Sequence, residues 1–223
     1  MTRTKLKERL LPDYTRGEEI INMVTHIVGG GLGILTLVLC VIRAEWNGNH
    51  YGIVSSAIYG TSMVFLYTVS SVYHGLRPSV GKKVMQVLDH CTIYFLIAGT
   101  YTPLALSALR PEYPALGWGL LVFEWLLTAL AVPLTAIDLK KYNVFSMICY
   151  IGMGWAALPF FKQTAAVLTR PGFLFLLSGG ICYTVGAILY GIGAKVRWFH
   201  SVFHIFVLLG SLLQMISILF YAL

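Results

Sequence analysis

The stretch WFHSVFHIFVLLGSLLQMISILFY, residues 198–221, decides the fold class. It contains no Asp, Glu, Lys or Arg. A helix needs about 20 predominantly apolar residues to cross the hydrocarbon core of a bilayer, and this block is long enough. Its two histidines, His200 and His204, stand at its head and four apart, so both imidazoles leave the same helical face. Lys195 and Arg197 come immediately before it, as basic residues flank a membrane span.

Six more apolar blocks precede it, at about 18–43, 51–75, 83–109, 116–137, 142–161 and 171–193. Polar or helix-breaking segments separate them, among them Glu45 to Asn49, Arg77-Pro78, Arg110 to Pro114 and Asp138 to Lys141. Thr15-Arg16-Gly17-Glu18 fits a capping box at the start of the first helix. Pro103 falls near the far end of the third, where a membrane helix tolerates a kink. The 223 residues are 57% hydrophobic and 11% charged, against roughly 25% charged in a soluble domain. The fold class is therefore all-α: a polytopic membrane protein built as a seven-transmembrane-helix bundle. Residues 1–17 are expected as a cytosolic N-terminal arm and residues 18–223 as the membrane domain. No internal repeat is evident, which argues against a transporter.

The net charge of +7 does not indicate nucleic-acid binding, because the basic residues sit in short loops between apolar blocks. Arg3, Lys5, Lys7, Arg9, Arg16, Arg77, Lys82, Lys83, Lys140, Lys141, Lys195 and Arg197 fall on one side of the bundle. Only Arg43, Arg110, Lys162 and Arg170 fall on the other. That bias predicts a cytosolic N-terminus and an outside C-terminus. The first 20 residues lack the apolar core of a cleavable signal, so the first span is expected to direct insertion. Cys40, Cys91, Cys149 and Cys182 lie singly in apolar blocks and read as buried thiols.

With this topology, four ionisable groups reach one layer near the cytosolic face. His74 ends the second span, Asp89 lies early in the third, and His200 and His204 open the seventh. Ionisable groups within spans are costly and mark working sites. Three imidazole nitrogens with an open position form the arrangement of catalytic zinc. Asp89 is either a fourth ligand or the holder of a water on the metal, and only the second choice leaves room for chemistry. A histidine pair four apart is, alone, more often a hydrogen-bonded helix contact; His74 and Asp89 at matching depth favour metal.

Ser70, four before His74 on the same face, is expected to support the ligands by hydrogen bonding. Glu19, Asn22, Thr25 and His26 lie on one side of the first helix. They form either a plain capped helix start, with Glu19 favoured by the helix dipole, or a layer that closes the site. His26 is either a helix contact or a proton carrier. His90 points about 100° away from Asp89 and is not expected as a ligand. Glu124 lies in the outer half, too far away to join the histidine layer. Gly29, Gly30, Gly31 and Gly33, with Gly179 and Gly180, are expected to permit close helix packing.

Glu19-x-x-Asn22-x-x-Thr25-His26, Ser70-x-x-x-His74, Leu88-Asp89-His90 and His200-x-x-x-His204 together resemble the progestin and adipoQ receptor family, and in particular its bacterial hemolysin III branch. The resemblance implies a seven-helix protein of the bacterial plasma membrane, with its N-terminus cytosolic and zinc near the cytosolic face. It implies that His74, His200 and His204 bind the zinc and that Asp89 sits beside it, in contact with its water. Related adiponectin receptors resemble ceramidases. The bacterial branch is linked to cell lysis and to membrane homeostasis.

Three functions follow from this reading. The first is a zinc hydrolase whose substrate is a membrane lipid amide or ester, with Asp89 as the catalytic base. The second is a lytic or pore-forming protein. The third is a sensor or receptor in which zinc only ties the second, third and seventh helices together.

Overall fold

The computed structural model describes residues 4–223, and its regular structure is entirely helical. Arg3, one of the basic residues counted above, lies outside the described residues. Helix α1 spans Arg16–Trp46, α2 His50–Gly75, α3 Val80–Pro103, α4 Pro114–Ile137, α5 Asn143–Gly154, α6 Phe161–Gly193 and α7 Phe199–Ser217.

Local chemistry sets most of the boundaries. Thr15 and Glu18 form the expected capping box, with Glu18 N–H donating to Thr15 Oγ1 at 3.2 Å and Thr15 N–H to Glu18 Oε2 at 2.8 Å. Asn49 caps α2 through Gly52 N, and Ser79 caps α3 through Lys82 N. Pro103 has no N–H to continue the helical ladder. There α3 widens into a π-helical turn, Leu104–Leu109, then a last turn, Arg110–Glu112.

Six helical runs are long and apolar enough to cross a membrane, one fewer than the seven expected. The difference lies in Asn143–Gly193. Its first part is the twelve-residue α5, which stops at Gly154 and passes through the Leu158–Phe160 3-10 turn, with Pro159 inside it. The second part, α6, breaks at Thr169, whose φ of 59° is left-handed and uncommon for a β-branched residue. This break falls just before Pro171, where the sequence predicted the sixth span to begin.

Contacts between distant residues define the two ends of the bundle. Glu19 of α1 meets His74 at the end of α2 and Lys82 at the start of α3. Thr4 N–H donates to Asp138, just past α4, so these termini share the site end. At the far end, Asn47 Nδ2 donates to the C-terminal Leu223 carbonyl at 2.7 Å. The run 143–193 goes out and back: Tyr101 OH donates to the Gly154 carbonyl and Ser217 Oγ to the Gly172 carbonyl, while Gly193 abuts His200.

The α3 run is buried along most of its length and packs chiefly against α2 and α4. Its neighbours contribute Tyr59, Met63, Tyr67, Leu120, Leu168 and Ile218 to one apolar core. Close packing falls on some of the expected glycines. A side chain at Gly29 would strike the Tyr67 ring, and one at Gly33 the Val64 backbone. Gly179 lies against Gly210, whereas Gly31 faces open space. Ile27, Ile34, Leu126, Leu130 and Ile188 point outward, as lipid-facing side chains do.

Candidate metal centre

His74 sits in the last turn of α2, and His200 and His204 in the first two turns of α7. Each offers one ring nitrogen to a group in which these atoms lie within 4.8 Å of one another. His200 Nε2 and His204 Nε2 face each other at 3.1 Å. Nitrogens bound to one tetrahedral zinc at about 2.0–2.1 Å stand roughly 3.3 Å apart, so this pair is already at chelating distance. All three rings are buried.

Two observations fit a metal better than a hydrogen-bonded cluster. His74 Nε2 is buried without a hydrogen-bond partner among the described residues. Secondly, His74 Nδ1 meets Glu19 Oε2 at 2.6 Å. An ionised carboxylate only accepts, so the network places the proton on Nδ1 and leaves Nε2 with its lone pair. Metal-binding histidines are commonly held in this way.

The first turn of α1 positions both histidine-bearing helices. Glu19 holds His74 on α2. Glu18 accepts the Trp198 N–H at 2.6 Å, two residues before His200. Trp198 is left-handed, with φ of 69°, and this sharp turn aims the start of α7 at the site.

Asp89 is half-buried and lines the same cavity as His26, His200 and His204. Ser70 is buried on the cavity wall, one turn from His74. Asn22 is fully buried, with both amide atoms unpartnered among the described residues. His26 makes a stacked contact rather than a hydrogen bond: its ring lies 3.8 Å from that of His204, at 27°. Thr25 turns away and bonds to the carbonyls of Ile21 and Asn22 on its own helix. His90 is engaged with the Gln86 carbonyl and Tyr190 OH, so its nitrogens do not join the cluster. Glu124 is buried elsewhere in the bundle.

Tyr14, Lys82 and Glu18 were not singled out as site residues by their local sequence. Tyr14 stacks on His200 with ring centroids 4.7 Å apart. Burial, and then the neighbouring Tyr190, Glu19 and Asp89, raise its phenol above the ordinary value, which keeps it neutral. Lys82 reaches Glu19 Oε1 at 2.6 Å. Glu18 was expected only as part of the capping box, and Lys82 only as a basic residue in the loop before the third span.

A cavity of about 180 Å³ runs from Tyr14 and the histidines past Ile93 and Ile97 to Tyr101 and Trp155. Its walls are mostly apolar, with Asp89 and the imidazoles at the site end. Helices α5 and α6 both line it, and Trp155 Nε1, just past the end of α5, donates to Thr184 Oγ1 of α6. The nitrogen cluster is made by the three histidines without Asp89, whose carboxylate lines the same apolar recess.

Sequence comparisons agree with the motifs. The family model described as haemolysin-III related matches residues 14–215. Hemolysin-3 of Bacillus cereus is 39% identical over 206 residues, covering 92% of this chain and 92% of that protein. The Hemolysin-3 homolog of Bacillus subtilis (strain 168) is 38% identical over 208 residues, covering 93% and 96% respectively.

Proposed function

This chain belongs to the haemolysin-III-related family, and we propose that it is a zinc-dependent hydrolase of a membrane lipid amide or ester, working from the inner membrane. The observation that carries the reading is the convergence of three buried imidazoles, one with an unpartnered nitrogen, at an apolar cavity that Asp89 also lines. The positions of the basic residues support a cytosolic site end and N-terminus, with the C-terminus outside.

His74, His200 and His204 are the residues that would hold the metal, with Glu19 fixing His74. Zinc, when bound, supplies a Lewis acid for a carbonyl and lowers the pKa of a water towards about 7. Asp89 takes the proton of the attacking water and returns it to the leaving amine or alcohol, the role of a general base and acid. The apolar cavity receives the hydrocarbon part of the substrate, which gains about 0.8 kcal/mol per buried methylene. Tyr14 and the described residues before it cover the aqueous side.

The test is metal analysis and turnover of the purified protein on ceramides and phospholipids. The expected result is about one zinc per chain and hydrolysis that His204→Ala abolishes. Tight zinc binding without turnover on any lipid would favour a metal that only ties the helices together. The relatives' name raises lysis as a second reading. Dye release from liposomes by zinc-free protein would favour it over hydrolysis.

A further inference from the structure

We propose that Lys82 is a positioning residue of the metal centre, acting through Glu19 on the ring orientation and tautomer of His74. The inference rests on the reading that His74, His200 and His204 hold a metal. It concerns a residue outside the four family motifs.

Lys82 stands in the first turn of α3 and is 3% exposed, which is rare for a lysine without a specific partner. Its ammonium donates to Glu19 Oε1 at 2.6 Å and to the Leu76 carbonyl at 2.9 Å, and lies 5.1 Å from the Tyr73 ring centroid. The other Glu19 oxygen is the one that meets His74 Nδ1. The two oxygens of one carboxylate thus serve two helices, one bonding the α3 lysine and the other the α2 histidine.

The consequence is geometric. Glu19 keeps 19% of its side-chain surface exposed. With Oε1 held by Lys82, Oε2 stays at His74 Nδ1. His74 Nδ1–H then has a fixed acceptor, and Nε2 presents its lone pair to the cluster. Without Lys82, the carboxylate is free to swing towards solvent and the ring can rotate or change tautomer. Outer groups that orient ligands in this way typically contribute 10–100-fold in metal affinity.

A purely structural clamp is the competing role, since Lys82 also ties down the α2–α3 connection through Leu76. Zinc affinity of the purified full chain, measured by competition with a chromophoric chelator, separates the two. Lys82→Met is expected to weaken zinc about 10–100-fold. On a Glu19→Gln background, the same change is expected to add almost nothing, because its effect passes through Glu19. Lys82→Gln, which keeps the stem and a donor for Leu76, serves as a milder second variant and should still lose affinity.

Wild-type affinity in folded Lys82→Met or Lys82→Gln overturns the proposal. So does a loss that adds in full to that of Glu19→Gln, which is what a clamp independent of Glu19 would give. If the unaltered chain binds no zinc, the proposed metal centre fails instead, and the two failures remain distinct.

Discussion

The ring of Tyr14 lies nearly parallel over that of His200, with centroids 4.7 Å apart and planes 21° from each other. Tyr14 ends the segment expected as a cytosolic arm, and that segment crosses the site end of the bundle. Thr4 N–H bonds to Asp138, Arg9 Nη2 to the Ile137 carbonyl, and Lys83 Nζ to the Lys7 carbonyl. Arg197 then meets Asp13. The segment therefore touches the starts or ends of α3, α4 and α7 before α1 begins.

Tyr14→Ala is expected to uncover His200. Aromatic stacking contributes about 0.5–1.5 kcal/mol, so modification of His200 by diethyl pyrocarbonate should quicken roughly two- to tenfold. His50, exposed at the far end, serves as the internal standard. Tyr14→Phe keeps the ring and should retain protection. Equal labelling in Tyr14→Ala and the unaltered protein would show that Tyr14 does not shield the site.

The latch at Asp138 should respond to acid. The Thr4 N–H beside it lowers its carboxyl below the usual aspartate value, with smaller help from Lys141 and Arg9. A lowered folded value means that the contact is fully stabilising above the unfolded aspartate value, about 3.9, and is lost as pH falls through the folded value. A fluorophore on Leu10→Cys, at a 91% exposed position, should keep constant anisotropy from pH 7 to about 5 and lose it below about 4. Asp138→Asn should show low anisotropy already at pH 7. A drop centred near pH 6 would point to another group.

Glu18→Ala removes a cap from α1 and an acceptor from Trp198. The Trp198 N–H and the N–H and hydroxyl of Thr15 would lose the carboxylate that accepts from them. Each such partly buried bond contributes about 0.5–1.5 kcal/mol. The expected outcome is a lower melting temperature and a weaker zinc affinity, the latter because His200 loses its fixed start. Unchanged zinc affinity in a destabilised variant would confine Glu18 to a structural role.

The layer of histidines was legible because both of its determinants are local. Bilayer thickness sets the length of each span, and a four-residue spacing aims His200 and His204 together. Depth then followed by counting residues from the loops to His74 and Asp89. What was not legible depends on pairings across the chain. Lys82 looked like one more basic residue in a loop, and its bond to Glu19 spans 63 positions. Tyr14 sits in a polar tail without periodicity, so nothing in its surroundings points to His200. The stacking of His26 on His204 rather than hydrogen bonding is equally a matter of packing. The shortened α5 reflects Gly154 and Pro159, whose breaking effect the hydropathy of 142–161 conceals.

Glu124 gives a prediction of opposite sign. Its side chain is fully buried in α4, and both carboxylate oxygens lack a partner among the described residues. Tyr101, which interacts electrostatically with it, already donates to the Gly154 carbonyl and accepts from Ala157 N–H. A buried polar group without a partner costs about 1–3 kcal/mol, and an apolar replacement of similar shape removes that cost. Glu124→Met should therefore raise the melting temperature of the purified protein. Glu124→Gln, which leaves an amide equally unpaired, should give no such gain. An intramembrane carboxyl retained at this cost is a candidate for function. If Glu124→Met is more stable yet less active, the carboxyl serves the reaction. If it is less stable, Glu124 has a partner in the folded protein, and the most immediate group to examine is the Tyr101 hydroxyl.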